Sequence, residues 1–121
     1  MLKRLPLLLY VALILFISLK STGPELVSIP HIDKVQHFMA YAVFAIVAAY
    51  AVSTKRAFYK HCTAIVLFSG VIELIQPWFG RECSVFDLLA NSLGVVLGML
   101  IAAVMSNKQV WLCDIINLKL D

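Results

Sequence analysis

Residues 87–105 read DLLANSLGVVLGMLIAAVM, an apolar run with one charged side chain, Asp87, at its start. A helix needs about 20 apolar residues to cross about 30 Å of hydrocarbon, so this run is long enough to span a bilayer. Similar apolar runs occur at about residues 5–20, 37–53 and 62–79. Because a spanning segment must satisfy its own backbone polar groups, and the alternation typical of barrel strands is absent, we expect helices. The sequence therefore predicts an all-α fold, an integral membrane bundle of four transmembrane helices.

The composition indicates a membrane protein rather than a soluble one. Charged residues make up 14% of the 121 residues, and the mean hydropathy is +0.93, whereas a soluble domain usually carries about 25% charged residues. The cationic residues are scattered rather than clustered on one stripe, which argues against nucleic acid as a partner. We expect one membrane domain over residues 1–121, in which residues 106–121 form a cytoplasmic tail, either a short amphipathic helix or a frayed end.

The first apolar run has two interpretations, a membrane span or a secretory signal peptide. Lys3 and Arg4 precede it, as in the basic region of a signal peptide. The residues after Leu19, however, lack the small-x-small pattern of a cleavage site. We therefore expect this run to be retained as the first span.

The distribution of Lys and Arg predicts the orientation of the spans. Seven of the ten lie before the first span, between the second and third, or after the fourth. The other three lie in the two remaining connections, on the opposite side of the membrane. Because positively charged loops stay in the cytoplasm, we expect both termini to lie on the cytoplasmic side of a bacterial inner membrane.

The cysteines do not indicate a metal site. Cys62, Cys83 and Cys113 are an odd number and have no CxxC spacing, so neither a disulfide framework nor a zinc site is predicted. We expect no metal and no cofactor.

The polar residues of the last three spans gather at one depth. On the second span, one helical face carries Asp33, Lys34, His37 and Tyr41. The faces of the third and fourth spans carry Ser69, Glu73 and Gln76, and Asp87, Asn91, Gly94 and Gly98. All three sets lie toward the outer half of the membrane, whereas the inner halves carry no charge. Because an intramembrane charge is costly, we expect these faces to meet in an outward-facing polar cavity or an ion-pair network.

Two local patterns concern the start and the packing of the fourth span. Ser84 followed by Asp87 resembles a capping box, in which both side chains satisfy the first amides of the helix. Ala90, Gly94 and Gly98 form a small-xxx-small stripe that lets a neighbouring helix approach closely. We therefore expect Gly94 and Gly98 to be helix-packing residues.

Three sequence blocks together resemble a known family. They are DKVQHFMAY at 33–41, GVIELIQ at 70–76 followed by Gly80-Arg81, and DLLANSLGVVLG at 87–98. In this order they resemble the VanZ-like family of small bacterial membrane proteins. On this resemblance, the motif positions are Asp33, Lys34, His37, Tyr41, Glu73, Gln76, Arg81, Asp87, Asn91 and Gly94. The namesake of the family is linked to resistance against the glycopeptide teicoplanin, so the resemblance implies a role in the cell envelope.

Three classes of function remain open on the sequence. The first is binding of a lipid headgroup or an envelope-related small molecule, with membrane lipids or a lipid-linked envelope precursor as the partner. The second is a structural or accessory membrane subunit whose polar cluster packs helices. The third is a membrane-embedded hydrolase that uses His37, Glu73 and Asp87, although no known hydrolase motif is present. We expect binding rather than catalysis. Since four spans are few for a transporter, a homodimer is an open alternative.

Overall fold

The computed structural model describes the backbone of residues 2–20 and 32–120, and the side chains of residues 2–20 and 32–106. A short 3-10 turn, Leu2–Arg4, leads into α1, Leu5–Leu19. The next helices are α2, Ile32–Ala51, and α3, Lys55–Ile75. A second 3-10 turn, Gln76–Phe79, follows α3 and precedes α4, Val85–Leu120.

The prediction of an all-α bundle with four spans is confirmed. Four helical segments are long and apolar enough to cross a membrane: Leu2–Leu19, Ile32–Ala51, Lys55–Phe79 and Val85–Ser106. α2 and α3 each begin more than one helical turn before the predicted start of the apolar run. The reason is that hydropathy marks the hydrocarbon region, whereas a helix continues into the interface, where its charged residues are solvated. α4 likewise continues through the predicted tail to Leu120, and the side chains of that tail lie outside the described residues.

Short polar side chains and one glycine fix the ends of the helices. The Thr54 hydroxyl accepts a hydrogen bond from the Ala57 amide at 3.1 Å, which starts α3. Gly80 adopts a left-handed conformation (φ 76°) and ends the 3-10 turn after α3. Ser84 caps α4, because its hydroxyl accepts from the Asp87 amide at 3.3 Å. The other half of the predicted capping box is wrong, since the Ser84 amide donates to Glu73 Oε2 rather than to Asp87.

The helices divide the bundle into two ends. The polar end contains the end of α1, the start of α2, and residues 79–85 between α3 and α4. The basic end contains residues 2–4 and the α2–α3 connection, with Lys55, Arg56 and Lys60. α2 and α4 are parallel and make the most extensive helix–helix contact of the described structure.

Two glycines make the close approach of α2 and α4 feasible. A Cβ atom added at Gly94 would collide with the carbonyl oxygen of Phe38 and lie 3.1 Å from Ala42 N. A Cβ atom at Gly98 would collide with the carbonyl oxygen of Ala42 and lie 2.7 Å from Ala45 Cβ. The two backbones therefore touch along this seam, as in other small-xxx-small helix pairs.

An aromatic cluster fills the middle of the bundle. The ring of Phe44, on α2, lies 5.2 Å from the Tyr10 ring, 5.7 Å from the Tyr41 ring and 6.0 Å from the Phe68 ring, measured between centroids. The Phe44–Phe68 pair is T-shaped, a favourable geometry for two aromatic quadrupoles. The Tyr10 hydroxyl donates to the Ala40 carbonyl at 2.6 Å. This cluster joins α1, α2 and α3 below the polar end.

Candidate functional site

Asn91 lies at the centre of the polar end and joins three helices. Its amide nitrogen donates to Ser69 Oγ on α3 at 2.7 Å, and its Oδ1 lies 3.0 Å from His37 Nδ1 on α2. Because the amide oxygen can only accept, His37 carries its hydrogen on Nδ1. Asn91 and Ser69 are fully enclosed, with 2% and 0% of their surfaces exposed. We call Ser69, His37 and Asn91 the Asn91 network.

An ion-pair group continues the Asn91 network toward the polar surface. Lys34 Nζ lies 2.8 Å from Asp33 Oδ2 and 3.3 Å from Asp87 Oδ1. The second carboxylate oxygen of Asp87 lies 3.7 Å from His37 Nε2, too far for a hydrogen bond but close enough for electrostatic attraction to a protonated imidazole. Lys34 therefore pairs with two acids, one on its own helix and one on α4.

Glu73 lies one helical turn beyond Ser69 on α3 and connects α3 to the start of α4. Its side chain is buried, with 3% of its surface exposed, and its Oε2 accepts the Ser84 amide hydrogen at 3.1 Å. Ser84 also caps α4 through its hydroxyl. A single serine thus links Glu73 to the helix that carries Asp87 and Asn91.

Gln76 and Arg81 bind the end of α1. Gln76 Nε2 donates to the Ser18 carbonyl at 3.1 Å, and Arg81 Nη1 donates to the Ile17 carbonyl at 3.2 Å. The last carbonyls of a helix have no partner within the helix, so these two side chains satisfy groups that would otherwise be unpaired. The left-handed turn at Gly80 returns the chain so that Arg81 reaches α1.

Three buried oxygens at the polar end accept no hydrogen bond from the described residues: Glu73 Oε1, Gln76 Oε1 and Asp87 Oδ1. Asp87 Oδ1 is the least isolated of them, because Lys34 Nζ lies 3.3 Å away, although not in hydrogen-bonding geometry. A buried acceptor without a donor typically costs about 1–3 kcal/mol. Glu73 lies in the last turn of α3, and Gln76 is the first residue of the 3-10 turn that follows.

A family model described as VanZ/LLP1 matches residues 4–106. The chain belongs to the VanZ/LLP1 family. The matched region contains the first membrane span from Arg4 onward, the other three spans in full, and every residue of the polar end considered above. No curated protein and no solved structure matches this VanZ/LLP1 chain at a significant level.

Most of the motif residues of this VanZ/LLP1 chain make contacts at the polar end, but they do so in two groups. The first surrounds Asn91 and contains Asp33, Lys34, His37, Asp87 and Asn91. The second contains Glu73, Gln76 and Arg81, which contact the α3–α4 connection and α1. Tyr41 instead contributes its ring to the aromatic cluster, and Gly94 and Gly98 lie on the α2–α4 seam.

Three serines complete the site without being among the motif residues. Ser69 accepts from Asn91, Ser84 bridges Glu73 and α4, and the Ser18 carbonyl binds Gln76. The helical spacing had placed Ser69 on the face of Glu73, although not as the partner of Asn91. The roles of Ser18 and Ser84 as partners of Gln76 and Glu73 rest on backbone groups, which every residue has, so no side-chain pattern indicates them.

Proposed function

We propose that the polar end binds the headgroup of a membrane lipid, or of a lipid-linked envelope precursor, through donors on that headgroup. The observation that carries the proposal is that two buried acceptors, Glu73 Oε1 and Gln76 Oε1, receive no hydrogen bond from the described residues. A ligand that reaches them must donate hydrogen bonds, as an ammonium group or a hydroxyl group does. In the cell we expect this binding to serve an envelope function, including the response to glycopeptide antibiotics.

The charge balance at the polar end favours an amine-bearing headgroup over an isolated phosphate. Four acids are present there among the described side chains, Asp33, Glu73, Glu82 and Asp87, against the cations Lys20, Lys34 and Arg81. Lys34 is already paired with two of the acids. Phosphate sites rely on unpaired cations and amides. An ammonium group would instead be attracted to the buried carboxylate.

The experiment compares two lipids that differ in whether their ammonium group can donate hydrogen bonds. Phosphatidylethanolamine and phosphatidylcholine have the same phosphate and the same net charge, but the choline nitrogen has no N–H group. Native mass spectrometry of the purified protein, titrated with acyl-matched forms of both, should show retention of phosphatidylethanolamine. Because a hydrogen bond to a charged group contributes about 1.5–3 kcal/mol, we expect a preference of about tenfold or more.

Glu73→Gln tests which residue provides the acceptor. The substitution preserves the size of the side chain, so the protein should insert and accumulate normally while the preference for phosphatidylethanolamine is lost. Arg81→Gln should likewise weaken binding, because the α3–α4 connection loses its bond to α1. Glu82→Gln is the matched control: Glu82 is exposed at the same end, and its neutralisation should leave the preference intact. Unchanged binding by Glu73→Gln would sink the proposal.

A second candidate function is that of a structural or accessory subunit. The Asn91 network favours it, since hydrogen bonds between its members join α2, α3 and α4. On this alternative, Glu73→Gln is as active as the parent protein, and substitutions in the Asn91 network reduce accumulation instead. The two candidates therefore differ in the result for Glu73→Gln: the binding proposal predicts a loss of function with normal accumulation, and the structural alternative predicts normal function.

A further inference from the structure

A cavity of about 430 Å³ opens at the basic end, far along the bundle from the polar end. It lies between the end of α2, the start of α3 and the membrane-spanning part of α4. These helix segments approach the boundary of the apolar spans, at Ala51, Lys55 and Ser106. In a bilayer we therefore expect the cavity to lie at the depth where lipid headgroups meet acyl chains.

The lining of this cavity has two chemically different parts. Ser53, Thr54 and Lys55 form a polar part at the α2–α3 connection, and Phe58, Met99 and Ala103 contribute apolar surface. A cavity with both kinds of surface fits an amphiphile better than it fits an ion or a purely apolar molecule. The backbone amides of Lys55 and Arg56, in the first turn of α3, have no partner within the helix and are donors next to this polar part.

A groove next to this cavity extends its cationic side. Arg56, Lys60 and Thr63 line a space of about 580 Å³ together with Tyr59, which also lines the cavity. These four residues repeat at three- and four-residue steps, so they share one face of α3. The groove and the cavity thus meet at Tyr59.

The cations of the basic end have no acidic neighbours in the described part of the chain. Among the side chains of residues 2–20 and 32–106, this end carries Lys3, Arg4, Lys55, Arg56 and Lys60 but no Asp or Glu. No ion pair involving any of the five occurs within those residues. The charge of this surface is therefore complementary to an anionic headgroup.

We propose that this cavity binds an anionic glycerophospholipid from the leaflet that the basic end contacts. The phosphate lies near Lys55, Arg56 and Lys60, and an acyl chain follows the apolar wall formed by Phe58, Met99 and Ala103. The site is independent of the headgroup site at the polar end, because it involves other residues and the opposite charge. Either proposal can fail without affecting the other.

The test uses purified full-length protein and native mass spectrometry with acyl-matched phosphatidylglycerol and phosphatidylcholine. The parent protein should retain phosphatidylglycerol preferentially. The triple variant Lys55→Gln, Arg56→Gln and Lys60→Gln should reduce that retention by at least about fivefold, the effect of one cation close to an anionic lipid surface. Equal retention of the two lipids by the parent protein would overturn the proposal.

Two controls separate a defined site from general surface charge. The triple variant Lys3→Gln, Arg4→Gln and Lys20→Gln removes the same charge from exposed residues outside the cavity, and it should retain phosphatidylglycerol like the parent protein. Ala103→Phe fills the cavity from an exposed position and leaves all cations in place, and it should also reduce retention. An equal loss in both triple variants, or no effect of Ala103→Phe, would show that the cavity is not the binding site.

Discussion

The side chain of Asn91 connects α4 to two other helices. Its amide group has two different ends, and each end is used: the nitrogen donates to Ser69 and the oxygen accepts from His37. Because Asn91 and Ser69 are buried, the loss of a bond would leave a polar atom that water cannot readily reach.

We expect Asn91→Ala to destabilise the bundle by about 1 kcal/mol, since it removes two interhelical hydrogen bonds that average about 0.6 kcal/mol each. The measurement is the unfolding free energy of the purified protein, obtained by titration with a denaturing detergent. Ser92→Ala is the matched control, because the Ser92 hydroxyl donates within its own helix to the Leu88 carbonyl at 2.9 Å. A stability of Asn91→Ala equal to that of Ser92→Ala would contradict a bridging role for Asn91.

At the scale of elements, the parallel contact of α2 and α4 determines where the polar end can form. The contact depends on backbone approaching backbone at Gly94 and Gly98, so it cannot be relieved by a change of rotamer. The same approach brings His37 within reach of Asn91 and Lys34 within reach of Asp87. The glycine seam therefore positions the polar side chains one to two turns above it.

Substitution of the glycines tests this dependence. Gly94→Ala and Gly98→Ala should each destabilise the bundle by about 1–3 kcal/mol, the usual cost of overpacking, and reduce accumulation in the membrane. Gly70→Ala provides a control within α3, because a Cβ atom there meets nothing within 4 Å. It should leave stability unchanged or raise it by up to about 1 kcal/mol through better helix propensity. Equal effects at all three positions would argue against the seam.

Across the whole bundle, the two ends differ in the balance of their acidic and basic residues. All four acids among the described side chains lie at the polar end, whereas five cations lie at the basic end. This charge asymmetry also predicts the orientation of the protein in the membrane, because loops rich in Lys and Arg are retained in the cytoplasm. The polar end should then face outward, and its headgroup site should meet the outer leaflet.

Two single-cysteine variants, one with a native and one with an introduced cysteine, allow this orientation to be measured. In a variant that retains only Cys83, which is exposed at the polar end, a membrane-impermeant maleimide added to spheroplasts should label the protein. A variant whose single cysteine is Thr54→Cys, exposed at the basic end, should be labelled only after lysis. The reverse pattern would place the polar end in the cytoplasm and would move the headgroup site to the inner leaflet.

The sequence predicted the fold class and the neighbourhood of the polar residues better than their individual contacts. Apolar runs separated by charged segments determine the number of spans, and helical spacing brings Glu73 and Gln76 to one face. The partners of those two residues could not be predicted, because they are the Ser84 amide and the Ser18 carbonyl. The Ser84–Asp87 capping box was half correct for a related reason. The Ser84 amide donates to Glu73, which lies eleven residues earlier and outside the local pattern of a capping box.

The parallel pairing of α2 and α4 has a consequence for the biogenesis of this protein. His37 precedes its partner Asn91 by 54 residues, so at 5–20 residues per second the ribosome needs about 3–10 s to synthesise the segment between them. During that interval α2 is available for insertion while the helix that covers its polar side does not yet exist. We therefore expect the polar side of nascent α2 to need shielding, at the membrane surface or beside an insertase, until α4 emerges. The yield of the protein should then depend on the speed of translation between these two spans as well as on the stability of the finished bundle.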